Sequence, residues 1–231
     1  MKNILISYLL LFLAVSVVSA QTDDISLTDS FNQENCTFLT TGKNNYFILE
    51  PGYQLILQNI EDKDTMKLVI TVLNETKKVG NTDTRIVEER ESVNGVVVEI
   101  SRNYFSICKE TGSVFYFGED VEIYKNGNVV SNSGSWLAVE NNKAGIIMPG
   151  QIILGSKYYQ EISPDIAMDI GEIVSISDTL ITPAGKFIGV VKIEETNPLE
   201  KGEKSYKFYA PGIGLIKDDE LLLVKYGMLD L

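Results

Sequence analysis

The chain contains no histidine, and that absence removes more chemistry than any residue present suggests. Without an imidazole there is no Ser-His-Asp or Cys-His pair, no His-liganded zinc, and no side chain whose ordinary titration falls near neutral pH. Basic residues are also scarce: 20 Lys and Arg stand against 32 Asp and Glu, for a net charge of −12. A surface this acidic repels phosphate backbones, so no nucleic-acid partner is expected. The acids are spread along the chain and form no block, as solubility alone requires. Cysteine occurs only at 36 and 108, so no cysteine stands at the start of a processed chain to carry a lipid anchor. After residue 18 no apolar run is long enough to span a bilayer, which takes roughly 20 residues.

What is present begins with Lys2 and an apolar stretch from Ile4 to Val18. Small residues at Val18 and Ala20 frame a cleavage site before Gln21. Residues 1–20 therefore read as a signal peptide, and the protein as secreted, periplasmic or cell-surface, with no transmembrane segment once the signal is removed. Export places Cys36 and Cys108 where a disulfide survives; two free, buried thiols are the alternative. Asn35 and Asn74 stand in glycosylation sequons, Asn-Cys-Thr and Asn-Glu-Thr, which matter only in a host that glycosylates exported proteins.

Residues 21–45 read as a polar N-terminal arm and 46–231 as a single β-rich domain. Tyr46–Leu49 and Tyr53–Leu57 flank the turn dipeptide Pro51-Gly52. Thr65–Leu73 is β-branched and apolar on both alternating faces. Asn94-Gly95 and Asn126-Gly127 are strong hairpin signals, with short strands predicted at 96–100, 104–108, 114–117 and 121–124. Six more strands are expected between 157 and 226, punctuated by Gly and Pro. The only helix predicted is a short one near Asp165–Ile170. The fold class is thus mainly β: an antiparallel curved sheet, either a half-open barrel or a two-sheet sandwich, with at most a short helix.

Several blocks occur in an order that resembles a family of exported prokaryotic proteins of uncharacterised function. They are Phe115-Tyr116-Phe117-Gly118-Glu119-Asp120, Gly134-Ser135-Trp136, Gly145-Ile146-Ile147-Met148-Pro149 and Tyr209-Ala210-Pro211-Gly212-Ile213-Gly214. The resemblance spans about half of the chain, residues 115–217, and implies no activity. The last block is also similar to β-rich periplasmic carriers of the lipoprotein-sorting type, whose half-open barrels bind acyl chains.

Two groups of residues are candidate sites. Trp136, Ile147, Met148, Tyr158 and Tyr159 collect large apolar side chains around a Gly- and Ser-rich stretch, where they either line an opening or fill the end of the sheet. Asp165, Asp169 and Glu172, spaced four and three apart, would share one face of a helical turn and take calcium. No calcium-loop consensus accompanies them, and no other cofactor is expected. The function expected is a non-catalytic exported protein that binds an apolar small molecule, lipid or partner segment. The alternative is a structural or adhesive module bound to an envelope component, and no enzyme activity is expected.

Overall fold

The computed structural model describes residues 26–59 and 64–229, so the expected signal peptide and its cleavage site lie outside the described residues. Strands β1 (Phe38–Leu39), β2 (Gly42–Asn44), β3 (Phe47–Leu49) and β4 (Tyr53–Gln58) come first. A meander of long strands follows: β5 (Met66–Val79), β6 (Thr82–Val93), β7 (Val96–Cys108) and β8 (Val114–Lys125). Five short strands come next, β9 (Asn128–Ser131), β10 (Trp136–Leu137), β11 (Lys143–Met148), β12 (Lys157–Tyr159) and β13 (Glu161–Ile162). The chain ends with β14 (Ile170–Thr182), β15 (Gly185–Thr196), β16 (Ser205–Ala210), β17 (Gly214–Asp218) and β18 (Leu221–Met228).

In space the order is β12-β14-β15-β16-β17-β18-β4-β5-β6-β7-β8-β11-β13, with every pairing antiparallel, while β2 and β3 form a separate two-stranded sheet. The large sheet curls into a nearly closed barrel. One continuous segment brings its two edges together: Lys157–Tyr159 pairs with β14 and Glu161–Ile162 pairs with β11, leaving Gln160 at the crossover. Thr28 of the N-terminal arm docks on the same segment through bonds with Lys157 and Tyr159. The seam is tight enough to demand a glycine. A Cβ on Gly145 would lie 2.4 Å from the Tyr159 carbonyl oxygen and 2.5 Å from the Gln160 carbonyl carbon. We therefore expect Gly145→Ala to lose about 2 kcal/mol to overpacking against backbone, read as a lower denaturation midpoint. An unchanged midpoint would mean that the seam yields freely.

The barrel carries two apolar clusters, one on each side of its wall. Inside lie Leu57, Ile173, Ile193 and Leu223, all 0 % exposed, with Phe105, Tyr116 and Tyr209 among their neighbours. Outside, Tyr104, Phe115, Phe117 and Cys108 are covered by the N-terminal arm through Phe31, Cys36 and Phe38. The Phe38 ring meets the edges of Phe115 and Phe117 at 5.2 and 5.1 Å. Cys36 and Cys108 are bridged, fastening the arm to the outer wall. The expected polar arm is thus ordered against the wall, contributing β1, which pairs with β7 of the large sheet, and β2 of the small one. Among the described residues no helix is long and apolar enough to cross a membrane.

The long strands of the meander exceed their predicted lengths. β7 runs through the predicted gap at 101–103, and β8 through that at 118–120. The Asn-Gly turns are as expected, with Asn94, Gly95, Asn126 and Gly127 all at positive φ, as a two-residue hairpin requires. The helix expected at Asp165–Ile170 does not form. Ser163 and Ala167 exchange backbone hydrogen bonds across a tight loop, Pro164 has no N–H to give a helix, and Asp165 sits at φ 66°. The one helical element among the described residues is a 3-10 turn at Gln33–Asn35.

Candidate functional site

Alternation along the strands decides what enters the barrel. On β6 the face that buries Val87 also carries Glu89 and Glu91; on β7 the face of Phe105 carries Glu99, Ser101 and Asn103. On β8 one extra residue at Phe117–Gly118, opposite Tyr104, shifts the register. That bulge puts Tyr116 and Glu119 on the same face, both inward. On the far wall Glu195 shares a face with Val191 and Ile193, and Lys207 shares one with Tyr209.

These walls face each other across the interior. Lys207 on β16 acts electrostatically on Glu89 and Glu91 of β6 and on Glu119 of β8, although four strands separate β16 from β6 along the sheet. Its ammonium pairs with Glu195 at 2.7 Å. Burial alone would lower Lys207, but Glu195 and Asp218 outweigh it and hold the ammonium well above its ordinary value. The other carboxyls have no such partner: among the described residues, Glu89, Glu119 and Glu161 make no ion pair. Desolvation by burial pushes Glu89 and Glu119 each up to about 7. Glu161 is also raised well above its ordinary value, by burial and by the neighbouring Asp169 carboxyl, against the opposing effect of the Asp169 backbone N–H, which donates to it at 3.0 Å.

Two buried polar groups in this interior lack a hydrogen-bond partner: the Tyr158 hydroxyl and the Trp136 indole N–H. Tyr158 is 4 % exposed. Its ring lies over Gly171, where an added Cβ would come within 3.2 Å of it. Gly171 pairs with Tyr158 on one side and Glu195 on the other, so the phenol is aimed toward the Glu195 carboxylate, which raises it further after burial. Gln160 donates to that same carboxylate at 2.8 Å. Trp136 packs edge-on against Tyr116, 5.3 Å between centroids, and the Tyr116 hydroxyl donates to Asn103 at 2.6 Å.

The interior is therefore divided. At one end a small apolar pocket of about 60 Å³ is lined by Leu55, Val72, Val87, Tyr209 and Leu215. At the other, Asp169, Glu195 and Lys207 form part of the wall of a polar cleft of about 360 Å³, through which the charged half meets solvent.

The residues singled out from sequence fall in three places. Trp136, Met148 and Tyr158 are buried in the interior cluster. Ile147 packs against that cluster half-buried, and Tyr159, half-buried on the opposite face of β12, stands at the seam. Of the acids expected to hold calcium, Asp165 is exposed in its loop, Glu172 is paired with Lys157 at 3.3 Å, and only Asp169 faces the interior acids. The helical face that would have aligned them is not formed, and among the described residues these three carboxylates do not converge to metal-ligating distance. Glu89, Glu91, Glu119 and Glu195 stand in no motif, and read along the chain Glu88-Glu89-Arg90-Glu91 looks like a solvated face. Their parity with Val87 was the available signal.

The raised carboxyls set the pH dependence of stability. Between 4.5 and about 7 the folded chain keeps protons on Glu89 and Glu119 that the unfolded chain has released, so stability falls as pH rises through that window. Asp120 and Glu194, held low by Tyr104 with Lys77 and by Lys204 respectively, contribute stability that disappears only at more acid pH. The melting temperature should therefore be higher at pH 5.5 than at pH 8, with Glu119→Gln raising the pH 8 value. A profile that climbs from 5.5 to 8 would contradict these assignments. No protein-family model, curated protein or solved structure matches the chain.

Proposed function

We propose that the protein is a non-catalytic exported binding protein that holds a small amphipathic molecule inside its barrel, its polar end in the charged half and its apolar part toward Val87, Phe105 and Leu215. The observation that supports this most is the set of interior carboxyls, half-buried at Glu89 and Glu119 and buried at Glu161 and Glu195, which share one lysine. Such an arrangement works against the fold: carboxylates taken out of water without a partner cost several kcal/mol each before relaxation or protonation. A purely structural barrel would fill the same positions with apolar side chains. Perturbed acids gathered in a concavity, with unpartnered donors beside them, are the usual signature of a binding or catalytic site. The expected wholly apolar ligand is thereby narrowed to one with a polar end.

Native mass spectrometry of the protein taken from its producing cell should show a non-covalent small-molecule adduct that denaturation removes. Adding the released fraction back to stripped, refolded protein should shift the emission of Trp136, the only indole. A bare mass together with unchanged emission in a whole-cell metabolite extract would refute the reading. Recovery of the ligand in chemically altered form would instead make the protein an enzyme, with the two carboxyls near neutrality serving as acid and base.

A further inference from the structure

Resting on the interior as the binding site, we infer that its ligand bears a protonated organic amine, held between Glu119 on one wall and the Glu195–Tyr158 corner on the other. Charge is the first ground. Lys207, the cation of the interior cluster, is engaged by Glu195 at 2.7 Å and lies beside Asp218, its partner in the β16–β17 register. Glu89, Glu119 and Glu161 have no cation of their own among the described residues. A positive headgroup is what this wall lacks.

The second ground is independent of charge. The Tyr158 hydroxyl is buried, unpartnered and directed at the same corner. A phenol so placed is satisfied by accepting an N–H, and an ammonium group brings three donors. An inorganic ion fits less well: no three interior carboxylate oxygens among the described residues approach to coordinating distance, whereas calcium takes about 6–8 oxygens at 2.3–2.6 Å. Aromatic rings favour the organic cation, because an alkylammonium packs against them: Trp136 lies edge-on to Tyr116 on one wall, and Tyr158 and Tyr209 belong to the same buried cluster. The apolar pocket beyond Tyr209 takes up an attached hydrocarbon.

A series with one chain and three heads tests this: hexylamine, hexanol and hexanoate, titrated at pH 8 against the full exported chain, with Trp136 emission and melting temperature as readouts. Hexylamine should bind at least 10-fold more tightly than hexanol, and hexanoate should not bind. Glu119→Gln and Glu195→Gln should each weaken hexylamine at least 5-fold. Glu119→Gln should do so while raising the melting temperature of the free protein, which a merely structural carboxylate would not do. Equal binding of hexanol or hexanoate would overturn the amine assignment and leave the interior site standing. Calcium raising the melting temperature in wild type but not in Glu119→Gln, and competing with hexylamine, would make the site one for an inorganic ion and also overturn it. Failure of all three hexyl compounds to bind would overturn the amine assignment, and if native mass spectrometry also found no adduct the interior site would fall with it.

Discussion

Reducing the Cys36–Cys108 bond should lower the melting temperature by roughly 10 °C. The bond spans a sequence separation of 72, and in the chain-entropy account closing a loop of that length restricts the unfolded chain by about 4 kcal/mol. For a domain of this size each kcal/mol moves the midpoint about 2–4 °C. The structural consequence is local to the outer wall. Cys108 is fully buried, and its partner anchors the segment that lays Phe31 and Phe38 over Phe115 and Phe117. Without the bond that cover is held by the two edge-to-face aromatic contacts of Phe38 and by hydrogen bonds such as Gln33 to the Ala144 carbonyl at 2.8 Å. The Cys36→Ser/Cys108→Ser double variant should reproduce the loss and expose Phe115 and Phe117 to a dye that binds apolar surface. A reduced protein that melts at the oxidised temperature would show that packing alone secures the arm. The arrangement of the proposed interior site should survive reduction at temperatures where the barrel remains folded, because the arm covers the opposite face of the wall.

Lys207→Met removes the one interior cation among the described residues and should destabilise the barrel by about 3 kcal/mol at pH 8, the low end for breaking a buried pair because the lysine keeps some exposure. Its side chain is 28 % exposed and that of Glu195 only 9 %. Once the ammonium is gone, Glu195 retains the Gln160 amide, and Glu89, Glu91 and Glu119 lose the charge that lowers them. Those three carboxyls then favour the protonated form more strongly. The loss should therefore shrink at pH 5, where protons replace the missing charge. Chemical denaturation of wild type and variant at both pH values measures this directly. A loss of the same size at pH 5 and pH 8 would assign Lys207 to packing through its alkyl stem, and no loss would mean that water screens the interior acids.

How much of this was legible beforehand differs from element to element. Asn94-Gly95 and Asn126-Gly127 declare their hairpins locally, because positive φ at both central positions is a property of those residues themselves. The bridge between Cys36 and Cys108 follows from there being two cysteines in a chain read as exported. Trp136, Met148 and Tyr158 could be grouped as large apolar side chains that needed cover, and they are buried together. Strand lengths were less legible. Asn103 and Glu119 interrupt apolar alternation and read as loops, yet each continues its strand because the face it enters is a polar interior.

The sequence by itself determined the chemistry that is unavailable, the β class, the turns and the cysteine pair, since all of these depend on residue type and near-neighbour spacing. Only the tertiary structure decided that the sheet closes through residues 157–162, and that closure assembles the candidate site. Glu89, Glu119, Glu195 and Lys207 are drawn from four strands and carry no motif in common. Along the chain each is an ordinary charged residue in a β-strand. They become a site because closing the barrel turns one face of every strand inward. Removal from water then couples charges that would be screened from one another on an open sheet.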